Sequence, residues 1–349
     1  MLVTSLTIGG KFLSTSTMKI VIPMAGYGVR LRPHTWSRPK QLIRMADKLV
    51  IDHVLDTFLN LPNLAQAEYI IIVGYLGEKI EEYMSQAHPE LKVHYVQQPE
   101  MRGQSHAVYL ARDYLDGPAL VLYGDTLIRT DFSFLPTESS GAVAWVKAVP
   151  DPRRFGVASL GSDGWVTHLV EKPQDMDNNL VLVGCYYFRD SHALLSAIEE
   201  QMRRNITLKD EFYLADAINI MLEQGLKMRV EHVDTWLDAG TPDDVLATNR
   251  YLLEHGHDNT IQAYSHKKSI FLRPVFIHPS ATVENCVIGP HASIGANCLI
   301  KSSIIRDSII DDSSKVENVI MEHSLIGRDV HIQRQAGVMN VGDQTELVL

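Results

Sequence analysis

Aliphatic residues recur at every sixth position near the C-terminus of this 349-residue chain. Such a hexad repeat is typical of a left-handed parallel β-helix, in which each hexad forms one side of a triangular coil. A small β-sandwich is the alternative, but it would not explain the six-residue spacing. At about 18 residues per coil, residues 275–335 would make about three coils. The recurring residues, which slip in register between runs, are Ile277 and Val283; Ile288, Ile294 and Ile300; Ile310 and Val316; Ile320, Ile326 and Ile332.

The region before the repeat is different, because strand-like and helix-like stretches alternate from Met18 to about residue 126. This alternation predicts βαβ units and a parallel sheet that binds ligands at the carboxyl ends of its strands. Residues 141–190 are rich in strand patterns, and two helix patterns and two further strands follow. A capping Thr241, a Pro242 and two acids then predict the start of a helix that runs to about residue 254. In the first part, the predicted strands lie at residues 20–24, 69–73, 93–96 and 119–123, and the predicted helices at 51–59, 78–85 and 106–114.

These patterns divide the chain into five segments. We expect an α/β domain at residues 18–255, a linker at 256–274 and the β-helix at 275–335. The flanking segments, residues 1–17 and 336–349, are expected to be tails, the first of them disordered. Stacked coils with open edges favour pairing, so the β-helix predicts a homo-oligomer.

Composition excludes several classes of function. The net charge of −10 argues against a nucleic acid or an anionic membrane as partner. No apolar run approaches the length of about 20 residues that spans a bilayer. The N-terminus has no pattern of a secretory signal, and Cys185, Cys286 and Cys298 have neither metal-ligand spacing nor a disulfide framework. A cytoplasmic protein is therefore expected.

One glycine-rich stretch combines a strand, a turn and two cations. Ile20-Val21-Ile22 reads as a buried strand and leads into Ala25-Gly26-Tyr27-Gly28-Val29-Arg30-Leu31, with Pro39-Lys40 ten residues after Arg30. Glycines let backbone N–H groups approach a phosphate chain, and Arg30 and Lys40 bring positive charge to the same place. The simpler interpretation is a tight βα turn followed by a solvated basic loop.

The full string G-x-G-x-R-L-x-P-x-T-x-x-x-P-K resembles the signature of the sugar-1-phosphate nucleotidylyltransferases, and it is close to the glucose-1-phosphate uridylyl- and thymidylyltransferase variant. The resemblance covers roughly residues 18–250. It implies an α/β fold: a Rossmann-like nucleotidyltransferase domain with a mixed, mainly parallel sheet, here followed by the short β-helix. Two departures, Val29 where Thr is usual and the absence of Gly-Thr-Ala at residues 103–105, leave the choice of nucleotide open.

The resemblance also implies where the nucleotide lies. Ala25, Gly26 and Gly28 would bind its phosphates. Gln98 stands five residues before Gly103, the offset at which a Gln reads the base in members that use UTP or dTTP. A primary amide can pair with the N3–H and a carbonyl of uracil or thymine.

Two carboxylates are implied as ligands of Mg²⁺. Asp125 closes a strand in Leu-Tyr-Gly-Asp, and Asp238 lies in Trp-Leu-Asp-Ala-Gly-Thr, which resembles a metal-binding element of the family. Two carboxylates suit Mg²⁺, which keeps several waters and takes phosphate oxygens as further ligands.

A third group of residues would hold the sugar 1-phosphate. Glu171-Lys172-Pro173 resembles the family's E-K-P motif, in which Lys172 contacts the phosphate and Glu171 the sugar hydroxyls. Gly156 would lie against the sugar ring, and Asn179 matches the family's sugar-facing Asn. Glu211 and Asp216 match family positions loosely, and for them a structural role at a helix start is expected.

The implied reaction joins a sugar 1-phosphate, glucose 1-phosphate by this likeness, to UTP or dTTP and releases pyrophosphate. Arg30, Lys40 and Lys172 would carry the catalysis by positioning and charge neutralisation. Three alternatives stay open: mannose-1-phosphate guanylyl transfer, a non-catalytic regulatory subunit, and acyl transfer by the β-helix. The last would use histidines such as His278, His291, His323 and His331.

Overall fold

The computed structural model describes residues 17–263 and 268–334, so the predicted tails lie outside the described residues except at residue 17. The first part of the chain forms an α/β domain. Its strands are β1 (Lys19–Pro23), β2 (Arg44–Met45), β3 (Lys48–Leu49), β4 (Glu68–Val73), β5 (Lys92–Gln97), β6 (Ala119–Leu122), β7 (Thr126–Arg129), β8 (Ala142–Ala148), β9 (Gly156–Leu160), β10 (Val166–Glu171), β11 (Leu180–Phe188), β12 (Met228–His232) and β13 (Thr235–Asp238). Its helices are α1 (Val50–Asp56), α2 (Gly77–Ala87), α3 (Gln104–Leu110), α4 (Ser191–Arg203), α5 (Leu214–Glu223) and α6 (Pro242–Glu254), and α7 (Thr260–Ala263) follows.

Nine of these strands form one mixed sheet. Its path runs β10-β9-β11-β6-β1-β4-β5, with β8 beside β11 and β12 beside β8. The pairs among β1, β4, β5 and β6 are parallel, as predicted, whereas β11 runs antiparallel to β6, β8 and β9.

The sheet is covered by helices on both faces, because its central strand is apolar on both sides. Ile20 and Ile22 point into a core shared with α1, α2 and α6, while Val21 points into a core shared with α3, α4 and α5. The sheet and its two helix layers form a three-layer arrangement. The Rossmann-like fold is thereby confirmed.

A two-stranded ribbon of β7 and β13 stands beside the carboxyl end of β6. The two strands are antiparallel, with Thr126 opposite Asp238. The sequence pattern did not predict β7, which has four residues and directly follows Asp125. The ribbon brings residue 238 next to residue 125 across a gap of more than one hundred positions.

The C-terminal strands form three parallel sheets of four short strands each, the arrangement of the predicted β-helix. Strands on one sheet are 17 or 16 residues apart, as between Ile277 and Ile294 and between Ile294 and Ile310. The strands are β14 (Ile270–Phe271), β15 (Val275–Ile277), β16 (Thr282–Glu284), β17 (Val287–Ile288), β18 (Ala292–Ile294), β19 (Leu299–Lys301), β20 (Ile304–Arg306), β21 (Ile309–Ile310), β22 (Lys315–Glu317), β23 (Ile320–Glu322), β24 (Leu325–Ile326) and β25 (His331–Gln333).

The β-helix differs in two details from the expectation. Each of its sheets has four strands, so the β-helix has four levels, where three coils were predicted. The coils are shorter than 18 residues, and β14 begins inside the stretch predicted as a linker. This stretch also contains α7. Ile320 does not belong to the inward set: its side chain is 77% exposed, and Met321 takes the inward position above Ile305.

The β-helix packs on the α/β domain through the sheet of β15, β18, β21 and β24. Phe276 and Ile309 from this sheet are buried in the same core as β1. Buried polar contacts join the two parts as well: Arg38 pairs with Asp311, and Ser293 donates a 2.7 Å hydrogen bond to Asn249. Within the described residues, no helix is both long enough and apolar enough to cross a membrane.

Candidate active site

A cavity of about 370 Å³ opens at the carboxyl end of β6, between the ribbon and strands β9–β11. Three groups of predicted site residues line it: Arg30 from the glycine-rich loop, Asp125 and Asp238 from the ends of β6 and β13, and Gly156, Glu171 and Lys172 from the far wall. Residues up to 208 positions apart in the sequence thus face one space.

The glycine-rich loop turns sharply at Gly28. Its φ of +60° is in the left-handed region, and a Cβ there would lie 2.9 Å from Cγ2 of Thr35. The Thr35 hydroxyl donates a 2.8 Å hydrogen bond to the Gly28 carbonyl and holds the turn closed. Beside Gly26, no atom of the described residues lies within 4 Å of where a Cβ would be, so a phosphate chain has room there. Ala25 is buried at the base of the loop.

Arg30 crosses from this loop to the ribbon. A Cβ on Gly240 would lie 2.7 Å from the Nη2 atom of Arg30 and 3.1 Å from the carboxylate of Asp238. The guanidinium therefore lies near the carboxylates, at the mouth of the cavity. Gly240 leaves the space that this approach requires.

Lys40 and Asp125 form a half-buried ion pair. Burial acts to raise the pKa of the Asp125 carboxyl, but the charge and hydrogen bond of Lys40 outweigh it and lower the pKa. Burial and the charge of Asp125 raise the pKa of Asp238 to about 6. Two carboxylates that repel each other in one cavity are a donor set that a divalent cation would stabilise, so the residues present fit Mg²⁺. The described residues contain no group of three or more His, Cys, Asp or Glu side chains placed to hold a metal.

Gln98 and Gly103 form one compact unit. The buried Gln98 amide donates to the Gly103 carbonyl at 3.1 Å, and its nitrogen lies 3.2 Å from Nδ1 of His106. Gly103 has a φ of +94°, and a Cβ there would lie 2.5 Å from the Phe212 carbonyl oxygen. Neither residue lines the 370 Å³ cavity, but the adjacent Gln104 does.

Glu171, Lys172 and Gly156 are in contact on the far wall. The Lys172 ammonium lies 3.9 Å from the Glu171 carboxylate, and a Cβ on Gly156 would lie 2.9 Å from Oε2 of Glu171. Burial, together with the charges of Asp216 and Glu211, raises the pKa of Glu171 to about 7 against the opposing effect of Lys172. Glu211 also lines the cavity, which a purely structural role did not predict.

Asn179 differs from the other residues predicted to bind the sugar 1-phosphate, which are Gly156, Glu171 and Lys172. It is exposed, and it is not among the residues that line the cavity. The neighbouring Asn178 is instead tied to β9, because its amide donates to the Ala158 carbonyl at 2.9 Å.

Sequence reasoning missed Tyr213 and Gln41. The Lys172 ammonium donates a 2.6 Å hydrogen bond to the Tyr213 hydroxyl and lies 4.5 Å from the ring centre. Gln41 is fully buried below Gly124, and neither amide atom has a partner among the described residues. Nothing in the sequence pointed from Tyr213 to Lys172.

Comparison with known families gives two matches. The family model described as Nucleotidyl transferase matches residues 19–255, and the one described as GMPPB C-terminal domain matches residues 271–347. The first match ends directly after α6, and the second begins within β14. Both parts of the chain therefore have known counterparts.

Curated relatives match at about one third identity. The bifunctional protein GlmU of Methanocaldococcus jannaschii is 34% identical over 238 residues, 68% of this chain and 55% of that protein, so the chain spans about half of that relative's length. Glucose-1-phosphate thymidylyltransferases match along nearly their whole length. That of Streptomyces griseus is 29% identical over 344 residues (90% of this chain, 93% of that protein), and that of Streptomyces antibioticus is 30% identical over 355 residues (93% and 96%).

Solved structures share the fold of about two thirds of this chain. A putative glucose-1-phosphate thymidylyltransferase from Bacillus anthracis superposes with a TM-score of 0.58 at 24% identity, covering 67% of this chain and 95% of its own. A UDP-glucose pyrophosphorylase complexed with UDP-glucose gives a TM-score of 0.58 at 19% identity, covering 68% and 99%. At this identity the likeness concerns the fold alone.

Proposed function

Because this chain belongs to the nucleotidyl transferase family, we propose that it transfers the nucleotidyl group of UTP or dTTP to glucose 1-phosphate, giving a nucleoside-diphosphate sugar and pyrophosphate. The observation that carries the proposal is the convergence of two charged groups on one cavity. Asp125 and Asp238, with Lys40 beside them, stand on one wall, and Glu171 and Lys172 stand on the other. A cavity with carboxylates that would hold a metal on one wall and a cation for phosphate on the other suits the transfer of a nucleotidyl group from a triphosphate to a sugar phosphate.

In the reaction, a phosphate oxygen of the sugar 1-phosphate attacks the α-phosphorus. The new P–O bond forms as the bond to the bridging oxygen of pyrophosphate breaks, and the bonding pair leaves with pyrophosphate. The attacking phosphate is already anionic, so no general base is required. The residues therefore contribute by positioning and by neutralising charge.

Each cation has a place in this scheme. Lys172 holds the phosphate of the sugar, and Lys40 neutralises charge at the α-phosphate from beside Asp125. Arg30 and the backbone N–H groups around Gly28 hold the leaving pyrophosphate. Asp125 and Asp238 would hold Mg²⁺, which when bound supplies further neutralisation of the phosphate oxygens.

Two further contacts would select the substrates. The Gln98 amide, positioned by Gly103, would read the N3–H and a carbonyl of a pyrimidine. Glu171 and Gly156 would contact the sugar, because their atoms adjoin on the wall that carries Lys172. Asn179 does not line the cavity, and its contact with the sugar stays a prediction.

Mannose-1-phosphate guanylyl transfer is the second candidate, since residues 271–347 match a GMPPB C-terminal domain. A panel of UTP, dTTP, GTP, ATP and CTP against the 1-phosphates of glucose, galactose, mannose and N-acetylglucosamine, read by pyrophosphate release with Mg²⁺, separates the two. We expect release with UTP or dTTP and glucose 1-phosphate. Release with GTP and mannose 1-phosphate alone would establish the second candidate, and silence across the panel would favour a non-catalytic subunit.

The predicted assembly through the β-helix has support from one of its faces. Ile270, Val287, Ile304 and Ile320 lie in register across all four levels, on the outer side of the sheet. Ile270 and Ile320 are 60% and 77% exposed. A continuous aliphatic row on a surface marks an interaction site. Light scattering of the full chain and of Ile320→Lys should show an oligomer that this substitution weakens; a monomer in both cases would refute assembly through this face.

Acyl transfer by the β-helix has little support. His291 lies 2.7 Å from the Glu254 carboxylate, and His323 lies 2.9 Å from that of Asp307. These histidines are hydrogen-bond partners of carboxylates.

A further inference from the structure

The hydrogen bonds around Gln98 use both N–H groups of its side chain. The residue is 5% exposed, and its amide nitrogen lies 3.1 Å from the Gly103 carbonyl oxygen and 3.2 Å from Nδ1 of His106. A carbonyl oxygen can only accept, so the contact with Gly103 fixes which end of the amide is the nitrogen. The same nitrogen meets Nδ1 in a hydrogen bond only if Nδ1 accepts as well. His106 is therefore neutral, with its proton on Nε2.

We propose that His106 is a positioning residue for base selection: it accepts the second N–H of Gln98 and so leaves the amide oxygen as the atom that meets the base. In the proposed function, on which this inference rests, Gln98 reads a pyrimidine. Its Oε1 atom accepts no hydrogen bond from the residues that the structure describes. A carbonyl of the base would have to share an N–H that Gly103 or His106 already uses, so the contact at N3 of the base decides.

The ring of His106 is held in place by the backbone around it. Gly103 directly precedes α3, and its carbonyl also accepts the Ala107 N–H at 3.2 Å. The Ser105 N–H donates to the Phe212 carbonyl at 3.0 Å, which ties the start of α3 to the segment before α5. These contacts fix the first turn of α3, and with it the position of the imidazole relative to the amide.

The charge state of His106 agrees with the role of an acceptor. Burial and the charge of Arg102 lower the pKa of His106 below its ordinary value, against the charge and a backbone hydrogen bond of Glu100. At neutral pH the ring therefore carries one proton, and Nδ1 keeps the lone pair that the amide N–H meets. A leucine at this position would offer no acceptor, whereas an asparagine would offer an oxygen close to the place of Nδ1.

A single acceptor separates two nucleotides that differ in little else. UTP and CTP share ribose and triphosphate, but N3 of uracil carries a hydrogen and N3 of cytosine a lone pair. Oε1 of Gln98 would accept the N3–H of uracil and repel the lone pair of cytosine. Turning the amide over would set its oxygen against the Gly103 carbonyl and Nδ1 of His106. A buried polar group left without a partner costs more than a paired one contributes, so the unmodified chain should bind UTP more tightly than CTP.

Isothermal titration of the full chain with UTP and with CTP, in Mg²⁺ and without a sugar 1-phosphate, measures both dissociation constants without turnover. In His106→Leu the preference for UTP over CTP should fall at least about fivefold, the size of one hydrogen bond. His106→Asn should keep the preference within about twofold of the unmodified chain, because its oxygen accepts in place of Nδ1. His192→Leu is the matched control, since His192 is exposed in the first turn of α4; both constants should stay unchanged.

Three results would overturn the inference: equal affinities for UTP and CTP in the unmodified chain, an unchanged preference in His106→Leu, or a preference lost as fully in His106→Asn as in His106→Leu. The ratio of the two constants within one variant does not depend on how much of the sample is folded, so reduced stability does not obscure it. Silence across the pyrophosphate panel would refute the proposed function and leave this titration interpretable. An unchanged preference together with normal pyrophosphate release would refute the role of His106 alone.

Discussion

The ion pair between Arg38 and Asp311 should be among the strongest single contacts between the two parts of the chain. The side chain of Asp311 is 1% exposed and that of Arg38 is 8% exposed. Asp311→Ala leaves the Arg38 guanidinium buried without its carboxylate. The Nη1 atom of this guanidinium already has no partner among the described residues. Removing one member of a buried pair costs about 3–5 kcal/mol, because a buried charge stays uncompensated. We expect a loss of this size in the free energy of unfolding.

Urea unfolding followed by tryptophan fluorescence measures this loss, with the denaturant slope checked for a change in the transition. Asp312→Ala is the matched control, because the neighbouring acid is more exposed and pairs with Arg44 at 3.2 Å; a loss of about 1 kcal/mol is expected there. Replacing both partners, Arg38→Met with Asp311→Leu, should recover much of the stability. A loss below about 1 kcal/mol in Asp311→Ala would refute the reasoning.

Three further predictions concern the active site. Gly103→Ala should raise the KM for the nucleoside triphosphate and lower the free energy of unfolding by about 2–4 kcal/mol. The reason is that the new Cβ would lie 2.5 Å from the Phe212 backbone and that φ is +94°. An unchanged melting curve would contradict this prediction. Tyr213→Phe removes only the hydroxyl contact to Lys172, so the free energy of unfolding should stay within about 1 kcal/mol of the unmodified chain. The KM for the sugar 1-phosphate should change more than the KM for the nucleotide. Equal changes in the two KM values would argue against a positioning role for Tyr213. Glu171 has a pKa of about 7 against an ordinary 4.5, so the folded state retains a proton that the unfolded state loses, and stability should fall as pH rises from about 4.5 to 7. Glu171→Gln should remove this dependence and raise the free energy of unfolding at pH 8 by about 2–3 kcal/mol relative to the unmodified chain. Urea unfolding at pH 5 and pH 8 measures both effects. An unchanged pH dependence in the variant would contradict the pKa assigned to Glu171.

The fold was predictable where one local pattern repeats. The hexads identified the β-helix, and the apolar strand at residues 20–22 identified the centre of the sheet. The same pattern placed Ile320 wrongly, because coils of 16 and 17 residues shift the inward-facing position by one residue. The sequence alone does not show at which side of a coil that residue is lost. The ribbon strand β7 was missed because its four residues alternate too briefly to read.

The active site was predictable where a motif carries several of its residues together. Arg30 and Lys40 come from one motif, and Glu171 and Lys172 from another, and the structure brings members of both to one cavity. Contacts between distant segments were not predictable. Arg38 and Asp311 are 273 positions apart, and nothing in either local sequence marks them as partners.

The central claim is that the residues around the cavity between Asp125 and Lys172 catalyse the transfer of a nucleotidyl group to a sugar 1-phosphate. The most direct measurement follows label from UTP or dTTP carrying radioactive phosphorus at the α-position, with glucose 1-phosphate and Mg²⁺. The label should appear in a nucleoside-diphosphate sugar, one for each unlabelled pyrophosphate released, and the rate should fall about 100-fold or more in folded Arg30→Ala and Lys172→Ala variants. Label that stays in the triphosphate with every sugar 1-phosphate, or near-normal transfer in both variants, would contradict the account.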